Sequence, residues 1–235
     1  YDAAYVENIL EPMANGNDPA LVLGTPKHLT DALGDAAVDF IEERAGGAKP
    51  FFLYLAYTIP HVKWQVPDLG QYAEKDWPEK MKIQAAMVTR MDRDIGQLKR
   101  LLEKLGISED TLIMFNSDNG AHGKGGTLDF FKTSGELKGK KRNMYDGGVR
   151  SPQIAYWPNK VPTGTVSDHI SAFWDILPTL SDLTGEPIKG ETDGISMLPT
   201  LLGKPEGQKK HSHLYWELYE SNKPNCAVRY DKWKG

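Results

Sequence analysis

The chain has 235 residues, 40% of them hydrophobic and 26% charged, with a net charge of −4. That is enough apolar material for a sizeable core, and the acidic balance excludes a general affinity for nucleic acid, leaving anion recognition to local clusters of basic residues. No apolar run approaches the roughly 20 residues that span a bilayer, and the lone cysteine, Cys226, excludes an internal disulfide or a cysteine-rich zinc site.

Residues 1–27, rich in Gly, Asn, Pro and acidic side chains, read as loop. Thr30 or Asp31 suits the N-cap of a helix whose apolar positions Leu33, Ala37, Phe40 and Ile41 recur at helical spacing, and Gly46-Gly47 ends it. The continuous run Phe51-Phe52-Leu53-Tyr54-Leu55-Ala56-Tyr57 reads as a central strand of a parallel sheet covered on both faces. It leads into Thr58-Ile59-Pro60-His61, which puts an imidazole just past the carboxyl end of a buried strand. Residues 62–80 mix Pro, Trp and charge and read as a long surface loop of the kind that walls a site. From Ile83 to Leu105, the residues Met87, Met91, Ile95, Leu98, Leu102 and Leu105 share one helical face, Lys and Arg fill the other, and Gly106 stops the helix.

Next, Thr111-Leu112-Ile113-Met114-Phe115 reads as a second buried strand and Asn116-Ser117-Asp118-Asn119-Gly120-Ala121-His122 as the polar turn at its carboxyl end. Ligands bind at such ends in α/β folds. Asp118 and Asn119 offer hard oxygen atoms suited to a divalent cation, and Gly120 lets the backbone turn sharply beneath them. The stretch Leu137-Lys138-Gly139-Lys140-Lys141-Arg142-Asn143-Met144-Tyr145-Asp146-Gly147-Gly148-Val149-Arg150 matches no nucleotide-binding loop. Its basic residues suit either a solvated flap or a set of cations brought down onto an anion. Residues 166–185 read as a helix with Ile176, Leu177, Leu180 and Leu183 inward, and Cys226, in a strand-like run, as a buried structural thiol. The order helix, strand, loop, helix, strand favours a doubly wound α/β sandwich.

These motifs together resemble the second half of a formylglycine-dependent sulfatase of the alkaline phosphatase superfamily. The resemblance rests on residues 51–61, on Asn116-Ser117-Asp118-Asn119-Gly120 with His122, and on Leu137 to Arg150 followed by Ser151-Pro152. It extends through Trp157-Pro158, Trp174-Asp175-Ile176-Leu177-Pro178-Thr179-Leu180, Asp193-Gly194-Ile195-Ser196, Tyr215-Trp216-Glu217, Ala227-Val228-Arg229 and Trp233-Lys234. It implies a mostly parallel sheet flanked by helices, incomplete here, in residues 1–207, and the start of a small antiparallel α+β domain in residues 208–235. It also implies hydrolysis of a sulfate ester on a glycan or aryl group, with no nucleic-acid partner, in the periplasm or outside the cell. The phosphoester and phosphonate hydrolases of the superfamily, or an inactive relative that binds anions or glycans, are the alternatives.

Carried over by residue, the resemblance makes Asp118 and Asn119 ligands of a calcium ion, or magnesium. It makes His61 the acid that contacts the sulfate and protonates the leaving alcohol, and Lys141, just upstream of Tyr145, the sulfate-binding lysine, with Lys140 as the substitute. His122 takes a position that faces substrate. Two departures, Val62-Lys63-Trp64 in place of a proline after the Pro-His pair and Asp146 in place of glutamate, concern loop shape. The nucleophile of the family is a formylglycine made from a Cys/Ser-x-Pro-x-Arg motif, and no such motif occurs in these residues. The expectation is therefore a fragment, without turnover of its own, whose nucleophile and signal peptide lie upstream.

Overall fold

A computed structural model describes residues 28–61, 64–220 and 223–235. The expected loop at residues 1–27 and the Val62-Lys63 departure lie outside the described residues. The chain divides into two units, Tyr1–Ser108 and Glu109–Gly235.

The first unit is built on two helices, α1 (Leu29–Ala45) and α2 (Glu79–Lys104), packed on one another. Leu33, Ala37 and Ile41 of α1 are buried as their spacing predicts, and Met81, Ala86, Met87, Leu98, Leu101 and Leu102 supply the buried side of α2. Each such Leu, Ile or Met contributes on the order of 1.5 to 3 kcal/mol. Met91 and Ile95 are only half-buried, because Asp94 takes a fully buried place on the same helix face. Helix α1 begins before the expected caps: His28 occupies the N-cap, and Asp31 lies in the first turn, where it meets two arginines instead of the backbone. Gly46 closes α1, and Gly106, at φ +71°, closes α2 in the left-handed conformation that only glycine adopts cheaply.

Residues 51–57 differ from the expected strand covered on both sides. Exposure alternates along them, with Phe52 and Tyr54 exposed and Phe51, Leu53, Leu55 and Tyr57 half-buried. Phe51 packs edge-on against Phe40 of α1, their ring centroids 5.8 Å apart. Among the described residues this run joins no hydrogen-bonded ladder, so only one face is covered. A continuous apolar run reports hydrophobicity, not which neighbours cover it. The loop after it holds one short 3₁₀ turn, Gly70–Tyr72, and Tyr72 stacks on Trp77.

In the second unit β1 (Ile113–Asn116) pairs antiparallel with β2 (Gln153–Tyr156), in the register Ile113↔Tyr156 to Asn116↔Gln153. Thr111 and Leu112 precede the strand, which is half-buried along its length. Two short helices lie between these strands, α3 (Thr127–Phe131) and α4 (Asp146–Val149).

After β2 comes α5 (Ile176–Thr184), much shorter than the 166–185 helix expected. The Asp175 carboxylate accepts from the backbone N–H of Ala172 and of Ile195, which stops the helix from extending upstream, and Val166 is almost wholly exposed. Leu177 is exposed, not inward, because the buried edge of α5 is set by Pro178 and Thr179. The Thr179 hydroxyl donates to Asp175 O at 2.6 Å and accepts from Met197 N–H at 2.9 Å, next to α6 (Leu198–Leu201).

The chain then forms a three-stranded antiparallel sheet, β3 (Leu214–Glu220), β4 (Lys223–Tyr230) and β5 (Trp233–Lys234). One face buries Leu214 and Ala227. Cys226 lies on the other face, opposite Glu217, and is exposed, which corrects its reading as a buried thiol. A strand's alternation decides burial, and Cys226 falls out of phase with Ala227. Among the described residues no helix is long and apolar enough to cross a membrane.

Candidate functional site

Strand β1 delivers the polar turn expected of it. Asp118 is exposed and Asn119 half-buried, and the Ser117 hydroxyl donates to Asn119 O at 3.3 Å. Among the described residues neither the Asp118 carboxylate nor the Asn119 amide has a side-chain hydrogen-bond or ion-pair partner within the protein. Gly120 turns the chain back beneath them. Its N–H donates to Gly148 O at 2.9 Å, and a Cβ at Gly120 would overlap the Gly147 carbonyl oxygen. The turn therefore rests directly on α4, backbone on backbone.

The basic flap is held to the same place. The Lys141 N–H donates to Ala121 O at 2.8 Å, and the Gly147 N–H to Lys138 O at 2.8 Å. Side chains at Gly147 and Gly148 would strike the carbonyl oxygens of Gly139 and Asn143, so the flap folds over two glycines that leave room for it. Lys141 is half-buried, and its ammonium has no hydrogen-bond or ion-pair partner among the described residues. The Lys140 side chain lies along Gly123, close enough that a Cβ there would meet its Cδ at 3.0 Å. Lys138 is committed elsewhere, its ammonium 4.0 Å from the centroid of the Tyr145 ring.

His122 follows the turn and is exposed. Its Nδ1 accepts from the Lys124 N–H at 2.8 Å, so the neutral ring carries its proton on Nε2. The structure thus brings Asp118, Asn119, His122, Lys140 and Lys141 into one backbone-bonded element. His61 belongs to the first unit, where it is exposed and its N–H donates to Thr58 O at 3.0 Å.

The family model of the sulfatases matches residues 2–186 of the chain. The chain belongs to the sulfatase family. It is 34% identical to a sulfatase of Formosa agariphila over 98% of this chain and 44% of that protein, and 32% identical to the N-acetylgalactosamine-6-sulfatase of Canis lupus familiaris over 75% of this chain and 33% of that one. Among solved structures it resembles Ps i-CgsB in complex with k-i-k-neocarrahexaose, with a TM-score of 0.79 and 28% identity over 100% of this chain and 53% of the other. It also resembles the PsFucS1 sulfatase from Pseudoalteromonas sp., with a TM-score of 0.69 and 30% identity over 87% of this chain and 40% of the other. The fold is that of the alkaline-phosphatase-like sulfatases, and this chain spans about half or less of the length of these relatives.

Some of the architecture behind this sulfatase-family element had no signal in the sequence. The glycine packing of turn on flap pairs Gly120 with Gly147 and Gly148 across a long stretch of chain, and no local pattern announces it. Asp146, read only as a departure in loop shape, is tied to Lys234 at a separation of 88 residues.

Proposed function

We propose that these residues are part of a sulfuric ester hydrolase acting on a sulfated glycan. In this reading Asp118 and Asn119 hold a metal ion and Lys141 binds the sulfate. The observation that carries it is the backbone connection of turn to flap: Gly120 N–H to Gly148 O and Lys141 N–H to Ala121 O. Through it one rigid element presents hard oxygens and an ammonium together, the combination that an anion held on a metal requires. Sulfated sugars as the substrate class are supported by the names of the relatives, among them N-acetylgalactosamine-6-sulfatase, and by the sugar complex of Ps i-CgsB. A periplasmic or secreted location belongs to the same proposal.

The donor chemistry at the turn fits calcium or magnesium, since a carboxylate and an amide oxygen are both hard ligands. Among the described residues no group of three or more His, Cys, Asp or Glu gathers to hold a metal, so the remaining donors fall to residues beyond those described. A bound divalent cation would supply neutralisation of charge on the sulfate oxygens.

Cleavage of a sulfate ester builds negative charge on the bridging oxygen and leaves it for an acid to protonate. Lys141 is the donor that strengthens its hold on the sulfate oxygens as that charge develops, and His61 is the acid. His122 and Lys140 contact the substrate. The nucleophile, a formylglycine, is assigned to residues outside these 235.

The test is steady-state kinetics on nitrophenyl sulfate in the complete enzyme that carries these residues. Lys141→Ala is expected to lower kcat and kcat/KM together by about a hundredfold to a thousandfold, the cost of losing one preorganised donor. Lys138→Ala and Lys124→Ala are expected to cost far less. If Lys140→Ala is the crippled variant and Lys141→Ala is near normal, the lysine is misassigned. If neither matters, the flap does not bind sulfate.

A further inference from the structure

The flap that carries Lys140 and Lys141 has an anchor that the reading above does not use. Asp146 opens α4, immediately before Gly147 and Gly148. Its carboxylate accepts from the Lys234 ammonium at 2.8 Å through Oδ1 and lies 3.8 Å from Arg229 Nη1 through Oδ2. All three side chains are largely shielded from solvent, at 30% exposure for Asp146, 28% for Arg229 and 19% for Lys234.

The geometry of the C-terminal sheet explains why the carboxylate is needed there. Arg229 and Lys234 are direct partners across β4 and β5, so the antiparallel register places two cations side by side on one face. Directly opposed like charges repel. The reciprocal bonds between Val228 and Gly235, at 2.8 and 3.0 Å, keep β5 in that register, so the strands cannot slide to relieve the repulsion. The Lys234 ammonium also lies 5.1 Å from the centroid of Trp216, which is itself 6.4 Å from that of Trp174. A carboxylate delivered from α4 accepts from Lys234 and lies within ion-pair distance of Arg229, whose Nε–H donates to Asp231 O at 3.2 Å. Its hydrogen bond from Lys234, larger than the opposing effect of burial, together with the charges of Lys234, Arg229 and Arg150, holds Asp146 below the usual carboxylate range.

From Asp146 the connection runs by backbone alone. Gly147 N–H is bonded to Lys138 O, Gly148 O accepts from Gly120 N–H, and Lys141 N–H is bonded to Ala121 O. We infer that Asp146, Lys234 and Arg229 form an electrostatic latch by which the C-terminal sheet positions the basic flap, and with it Lys141, against the Asp118–Asn119 turn. Asp146 and Lys234 are positioning residues, and neither touches substrate. The inference rests on the proposed function for the role of Lys141 and on the structure alone for the latch.

Two measurements separate these. Hydrogen–deuterium exchange on the 235-residue chain is expected to show peptides of residues 138–150 exchanging about tenfold faster in Asp146→Ala and in Lys234→Met, the size of a typical coupling between contacting charged groups. Peptides of α2 should stay unchanged, and Asp146→Glu, which keeps the carboxylate, should restore most of the protection. Unchanged flap exchange in both variants overturns the latch, as does failure of Asp146→Glu to restore anything.

In the complete enzyme the same two variants are expected to lower kcat for nitrophenyl sulfate about tenfold with KM little moved, and the double variant to be no worse than either single one. Normal kcat in both, alongside a crippled Lys141→Ala, overturns the positioning role. A flap that loosens while Lys141→Ala proves harmless keeps the latch and removes the sulfate-binding reading of the flap.

Discussion

The helix pair of the first unit and the turn–flap element of the second solve the same problem, holding two distant segments in register, by opposite means. Between α1 and α2 the joint is made by side chains. Asp31 receives Arg90 through both of its oxygens at 2.6 Å and Arg93 at 2.9 Å, and Arg90 reaches on to Asp68 at 3.4 Å. Between the Asp118 turn and the flap the joint is made by main chain, with Gly120 N–H donating to Gly148 O and Lys141 N–H to Ala121 O. Side-chain joints flex and tolerate exchange of one charge for another. Backbone contact leaves less freedom, and it suits the role proposed for the Asp118–Asn119 turn and Lys141, in which an oxygen pair and an ammonium keep a fixed separation.

The largest effect expected from this contrast is at Gly120. A Cβ there would overlap Gly147 O and crowd the carbonyl carbons of Gly147 and Gly148, all backbone atoms that cannot swing aside. Gly120→Ala should destabilise by about 3 kcal/mol or more, at or beyond the upper end for overpacked sites. Gly46→Ala serves as the control, because a Cβ at Gly46 meets nothing within 4 Å and should change stability by no more than about 0.5 kcal/mol. Urea midpoints of the two variants decide it, and equal midpoints would remove the distinction between the two kinds of joint.

A smaller loss is expected when the side-chain joint is cut. Among the described residues, Asp31→Ala leaves Arg90, with 14% of its side chain exposed, only the long contact to Asp68. The expected cost is about 2 kcal/mol, between the values for exposed and for fully buried pairs, while Asp68→Ala, at a largely exposed carboxylate, should cost less than about 0.5 kcal/mol. Burial works to raise the Asp31 pKa, but the hydrogen bonds and charges of Arg90 and then Arg93 outweigh it and hold the group below its usual range. The stabilisation is therefore complete above about pH 4 and is lost as pH falls through the depressed folded value. A difference from Asp31→Ala that grows on acidification would contradict this pairing.

What was legible in the sequence follows the same division. Helices α1 and α2, the turn at the end of β1 and the basic flap are local patterns of a dozen or so residues, and each was found close to where it lies. The antiparallel pairing of β1 with β2, the exposure of Phe52 and Tyr54, and the exposure of Cys226 depend on neighbours far along the chain, which periodicity does not report. The shortened α5 has a more particular cause: Asp175, fully buried, is held at once by the neighbouring Ala172 and by Ile195 and His211, and the two distant partners leave no local trace. Candidate ligands could be named because the chemistry they are proposed for is carried by residue type. The glycine contacts and the Asp146 latch that hold them were not, because their meaning lies in the partner.

The smallest effect, and the one that most sharpens the contrast, concerns Asp94. This carboxylate is a buried acidic group that interrupts the apolar face of α2, and it lies against α1, since a Cβ on Gly34 would lie 3.0 Å from its Oδ2. Oδ1 accepts from Arg93 at 2.9 and 3.1 Å, but Oδ2 is buried with no partner among the described residues. Burial, which Arg93 only partly offsets, raises its pKa, the reverse of Asp31, which shares Arg93 with it. The folded state then holds a proton that the unfolded chain has already lost, so stability falls as pH rises from about 4 through the raised value. Asp94→Asn keeps the acceptor for Arg93 and removes the charge. At neutral pH it should match the native protein to within about 1 kcal/mol or exceed it. On acidification the native protein should gain on Asp94→Asn while its advantage over Asp31→Ala shrinks. Urea midpoints of the three proteins between pH 4 and 7 test both signs at once, and a native protein that gains on Asp94→Asn as pH rises would mean that the Asp94 charge is stabilising where it lies.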